Sequence, residues 1–131
     1  MSLETKSKSK FSVTDRLKSA NHAWRGVGLL IKTSHNTWGH MFFGLLALYL
    51  GYILKISNIE WVLIVLAIGL VIVAEAFNTA IEVDIDLTSP DYHPYARDTK
   101  DIAAGAVLLM VFMATIIALI IFVPKILPNL L

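Results

Sequence analysis

Residues 75–101 read EAFNTAIEVDIDLTSPDYHPYARDTKD, and the rest of the chain takes its meaning from them. With Glu75 set to zero on a helical wheel at about 100° per residue, Asn78 falls near −60°, Glu82 near −20° and Asp86 near +20°. Asp84 falls on the opposite side, so three carboxylates and a carboxamide share one stripe. The stretch upstream, VLIVLAIGLVIVA, is apolar throughout. An ionisable side chain at membrane depth must offset its desolvation with a partner, which makes it a candidate functional residue.

Outward from this stretch, composition bounds the answer. The chain has 131 residues, 56% of them hydrophobic and 16% charged. A soluble domain carries about 25% charge, and the mean hydropathy here is +0.69. There is no cysteine, which excludes a disulfide framework and a thiolate metal site. Residues 1–33 hold seven Lys/Arg against two acids; the remainder holds four against eight. A basic front followed by apolar segments points to anionic lipid, and no soluble nucleic-acid-binding fold accompanies it. No signal peptide is visible.

The pattern predicts an all-α polytopic membrane protein forming one domain over 1–131. Residues 1–11 read as a disordered basic tail. Over 12–32, Val13, Leu17, Ala20, Trp24, Val27 and Ile31 recur at spacings of three and four, a helical stripe beside Arg16, Lys18 and Arg25. This is the pattern of an amphipathic helix lying on a membrane. Three membrane helices are expected over 34–55, 59–88 and 96–123. Between Lys32 and Lys55 there are 22 residues without formal charge, and between Asp101 and Lys125 there are 23; a hydrocarbon core requires about 20. Only 14 residues separate Glu60 from Glu75, so the middle helix carries Glu75 and Asn78 to the inner edge of the hydrocarbon. Pro90 and Pro94 break the chain before the last helix, and Pro124 and Pro128 mark its end. Trp24, Trp38 and Trp61 read as interfacial anchors. Nine of the eleven basic residues lie in the N-terminal region and the 85–101 loop, which places both in the cytoplasm.

Carboxylates at this spacing can accept a proton or ligate a hard cation, which takes one or two carboxylates plus substrate phosphates. Arg97 and Lys100, across the proline turn, can meet phosphate charge. Together these are the minimal parts of phosphoryl transfer, although no glycine-rich nucleotide loop is present. Spacing alone leaves two alternatives open, a proton or ion relay and a purely structural polar network.

Three stretches carry a resemblance: E-A-F-N-T-A-I-E-x₃-D from Glu75 to Asp86, then Y-H-P, then K-D-I-A-A-G-A-V-L-L from Lys100. They resemble the prokaryotic diacylglycerol kinase family, which includes undecaprenol kinases, and FSVTDRLKSANHAWRGVGLL resembles its surface helix. The resemblance covers about residues 11–123. It implies a homotrimeric inner-membrane lipid kinase with three spans per subunit. It would use ATP and Mg²⁺ to phosphorylate diacylglycerol or undecaprenol, in active sites shared between neighbours. Carried over by position, Glu75 matches the general base and Asn78 the amide that orients groups beside it. Glu82 matches a metal ligand, and Asp86, His93, Lys100 and Asp101 match nucleotide- and phosphate-binding positions. The hinge T-S-H-N-T-W-G-H contributes Ser34, Asn36 and His40. It also holds the one departure: the family usually has a metal-binding glutamate where this chain has Ser34, a poorer Mg²⁺ ligand. That departure keeps a rival reading in view, a catalytically silent or ion-binding membrane protein using the same stripe.

Overall fold

A computed structural model describes residues 12–129; the expected basic tail lies outside them. Four α-helices follow one another: α1 Val13–Thr33, α2 His35–Ile53, α3 Asn58–Thr88 and α4 Pro94–Ile126, with a closing 3₁₀ turn at Leu127–Asn129. No strand occurs among the described residues.

Each start has a local cause. Ser12 caps α1 by accepting from the Asp15 N–H at 3.4 Å, Ser34 caps α2, and Ser57 with Glu60 forms a capping box at α3. The expected break falls between Thr88 and Pro94, and Pro94 itself opens α4 as its first residue, where its missing N–H costs nothing. Pro124, expected to close that helix, lies inside its last turns, and α4 continues to Ile126. Near a helix end a proline forfeits one bond rather than splitting the helix.

The α2–α3 connection is a tight C-cap. Ile56 N–H donates to Gly51 O at 3.2 Å and Lys55 N–H to Tyr52 O at 3.4 Å, with Lys55 at φ 51°. This is a Schellman arrangement with lysine where glycine is usual. Ile56 folds back over Gly51, where a Cβ would lie 2.9 Å from Ile56 Cδ1 and 3.1 Å from Trp61 Cη2.

The core is built on α3, whose buried residues Ile64, Ala67, Val71, Glu75 and Asn78 recur at spacings of three and four. From α2 it meets Thr37, Gly44 and Gly51, a seven-residue repeat of small side chains that brings the helices close. From α4 it meets Ala103, Val107, Ile121 and Phe122. The apolar centre, with Ile56, Ile64, Ile121 and Phe122, lies at the α2–α3 loop end. Lys125 Nζ closes that end on Glu60 Oε1 at 2.8 Å.

Two helices, α3 and α4, are long and apolar enough to cross a membrane, and only 22% and 17% of their most apolar windows are buried. A core helix of a soluble protein would be covered. The segment expected as a further span forms the 19-residue α2, whose polar start (His35, Asn36, Thr37, His40) dilutes its apolarity. No residue of α1 is buried, and Val13, Leu17 and Trp24 on its apolar stripe are exposed.

Candidate active site

At the end of the bundle remote from Lys125, the apolar stripe of α3 turns polar without changing direction. The position that follows Ile64, Ala67 and Val71 on the same face is Glu75, which is 2% exposed. It lies about 22 Å along the helix from Glu60, short of a hydrocarbon core about 30 Å thick.

Two side chains from the start of α2 meet Glu75. Ser34 Oγ donates to Glu75 Oε1 at 2.5 Å. The same hydroxyl accepts from the Thr37 N–H at 3.3 Å, so the cap of α2 is also the partner of the buried carboxylate. On the other oxygen, His40 Nε2 stands 3.8 Å from Glu75 Oε2, beyond hydrogen-bond reach. Among the described residues Glu75 Oε2 has no hydrogen-bond partner, and neither do the buried Asn78 Oδ1 and Thr37 Oγ1. Buried polar atoms are nearly always satisfied, so three oxygens left unmatched in one region mark a place for a ligand, water or neighbouring chain.

One turn further, Asn78 Nδ2 donates to Glu82 Oε1 at 2.9 Å, which fixes the amide orientation. Glu82 is half-buried and Asp86 exposed, so the stripe runs from sealed to open as it leaves the apolar zone. Asp86 meets Lys100 Nζ across the α3–α4 turn. That turn forms a cleft of about 330 Å³ whose lining includes Asp86, Asp91, His93, Arg97 and Lys100. His93 is the N-cap residue of α4, its ring 5.6 Å from that of Tyr95. Asp101 pairs with Arg97 at 3.5 Å.

The residues singled out from sequence thus fall into two groups. Ser34, His40, Glu75, Asn78 and Glu82 form a cluster that is buried at Glu75 and Asn78 and half-buried elsewhere, and Asp86, His93, Lys100 and Asp101 belong to a more exposed one beside the cleft. Asn36 is exposed on α2 and joins neither. Sequence reasoning overlooked Thr37, although its seven-residue spacing to Gly44 and Gly51 puts it on the same buried face of α2. The donor chemistry fits a hard cation: the unmatched atoms are oxygens, and Glu82 stands beside them. Among the described residues no three His, Cys, Asp or Glu side chains converge on one point. The fit is therefore to a cation completed by phosphate oxygens rather than to an all-protein cage.

Comparison with known proteins identifies the family. The profile of the family described as prokaryotic diacylglycerol kinase matches residues 21–122. An undecaprenol kinase of Bacillus subtilis (strain 168) is 41% identical over 108 residues, covering 82% of this chain and 88% of that protein. A diacylglycerol kinase of Synechocystis sp. is 36% identical over 112 residues, 85% of this chain and 64% of that protein. A diacylglycerol kinase of Escherichia coli K12 is 28% identical over 102 residues, 76% and 82% of the two chains. The matched range takes in the hinge, the carboxylate stripe, the proline turn and most of α4, and on that ground the protein belongs to the prokaryotic diacylglycerol kinase family of lipid kinases.

Proposed function

We propose that the protein phosphorylates the hydroxyl of a membrane lipid, diacylglycerol or undecaprenol, with ATP as donor, at the cytoplasmic face of a bacterial inner membrane. The observation that carries this reading is Glu75: a buried carboxylate with one oxygen bonded and the other unmatched, at the polar limit of an otherwise apolar helix. A lipid hydroxyl reaches that depth without leaving the bilayer.

In this reading Glu75 Oε2 accepts the hydroxyl proton while the lipid oxygen attacks the γ-phosphorus and the bond to the β-phosphate oxygen breaks, releasing ADP. Glu82 lies about 10 Å further along α3, and Asp86 about 16 Å. The stripe is therefore a ladder from acceptor to nucleotide. Asn78 orients Glu82. Glu82 would hold Mg²⁺ together with the nucleotide phosphates, and the bound cation supplies neutralisation of phosphate charge. Lys100 serves the same end from the cleft, beside Asp86, His93 and Asp101. Held on Asp86 in the absence of nucleotide, Lys100 exchanges one anion for another when phosphate arrives.

Three spans per chain and a homotrimer complete the proposal. Supporting them are the uncharged run that contains α2 and the uncovered apolar surface, including Phe42, Phe43, Leu108, Leu109 and Phe112. The unmatched oxygens also need partners that a neighbouring subunit can supply. The exposed apolar face and basic residues of α1 suit it to the membrane surface. The test is phosphoryl transfer from labelled ATP to diacylglycerol and to undecaprenol in mixed micelles, with and without Mg²⁺. Labelled lipid with at least one acceptor is the expected result. Mg²⁺-independent ion flux in liposomes with no labelled lipid would replace this reading with the ion-binding one.

A further inference from the structure

We infer that Ser34 is a positioning residue for the proton-accepting carboxylate: its hydroxyl anchors Glu75 Oε1 and thereby commits Oε2 to the substrate. The inference rests on the kinase reading above and assigns Ser34 a role other than metal ligation.

The argument starts from hydroxyl valence. A serine hydroxyl has one proton and two lone pairs. Here the proton goes to Glu75 Oε1 at 2.5 Å and one lone pair takes the Thr37 N–H at 3.3 Å. One neutral lone pair is left, a poor ligand for a hard cation beside carboxylate and phosphate oxygens. The cap supplies rigidity: Ser34 Oγ is held by the α2 backbone, so the anchor on Glu75 belongs to a helix end rather than to a swinging rotamer. The hydrogen bond spans 41 residues of sequence, so it also ties α2 to α3 at the level of the proposed chemistry.

The two carboxylate oxygens are thereby made unequal. Oε1 is occupied, whereas Oε2 is buried without a hydrogen-bond partner among the described residues, with His40 Nε2 3.8 Å away. A glutamate free to rotate about its terminal bond would present either oxygen to either partner. Fixed at Oε1, it presents one acceptor in one direction, the orientation that positioned proton transfer requires. A carboxylate at position 34 could donate no proton to Glu75 and would repel it unless a cation stood between them. A hydroxyl does the anchoring without one.

The experiment separates capping from anchoring, using the full-length protein in micelles. Glycine and aspartate at an N-cap preserve helix starts well, but neither supplies a hydroxyl proton; threonine supplies both. Ser34→Gly and Ser34→Asp are expected to lower kcat by about 10- to 100-fold, with KM for ATP within about twofold of wild type. Ser34→Thr is expected to retain kcat within a few-fold of wild type. If Ser34→Gly and Ser34→Asp turn over like an active wild type, the anchoring role is overturned and the kinase reading stands. If they lose KM for ATP rather than kcat, Ser34 acts at the nucleotide or its cation, and the inference is likewise overturned. If the wild type phosphorylates neither lipid, the kinase reading falls first and takes the anchoring role with it.

Discussion

The two ends of the α3–α4 pair carry the same kind of contact in opposite settings. At one end Lys125 meets Glu60 over an apolar centre of Ile56, Ile64, Ile121 and Phe122. At the other, Lys100 meets Asp86 beside an open cleft, with a buried carboxylate and unmatched oxygens further in. A lysine–acid pair is therefore no sign of function by itself. What distinguishes the ends is satisfaction. The first has spent its polar groups on caps and its apolar groups on each other. The second holds buried polar atoms without a hydrogen-bond partner among the described residues, a state that costs free energy.

That contrast can be broken experimentally. Glu75→Gln is expected to have the largest effect, lowering lipid phosphorylation by about 10²- to 10⁴-fold while the protein remains folded. The amide keeps the volume and can still accept from Ser34, but it cannot take a proton. Retained turnover would show that the unsatisfied end is structural. At the satisfied end, Gly51→Leu is expected to cost about 1–3 kcal/mol of stability through overpacking against Ile56 and Trp61. Thermal unfolding in micelles measures it, and activity per folded molecule should not change.

Smaller effects sharpen the division. Lys100→Met is expected to raise KM for ATP about tenfold, the worth of one charge-assisted hydrogen bond to phosphate. A matching fall in stability instead would make the pair with Asp86 a structural brace. Lys55→Gly runs the other way. It relieves a lysine held at φ 51°, and stability should rise by about 1 kcal/mol. Phosphorylation should be unaffected, since the loop lies at the end remote from Glu75.

Much of the architecture was legible because helices advertise themselves through local periodicity. The apolar runs and the repeat of Glu75, Asn78, Glu82 and Asp86 all lie within a few turns of chain. Where reading failed, the cause was positional. Pro124 was taken as the end of its helix, yet a proline in a last turn forfeits little. The threonine–glycine repeat on α2 was available in the sequence. Its meaning depended on Ile68 and Trp61 arriving from another helix.

The sequence by itself determined an all-helical chain and a carboxylate stripe on one face, because each follows from hydropathy and a period of 3.6 residues; of the three membrane helices it predicts, two are long and apolar enough to span in the structure. Only the tertiary structure decided that Ser34 belongs to Glu75, and that one carboxylate oxygen is occupied while the other is left open. Those facts join residues 41 positions apart, and no local pattern encodes which side chains two packed helices bring face to face.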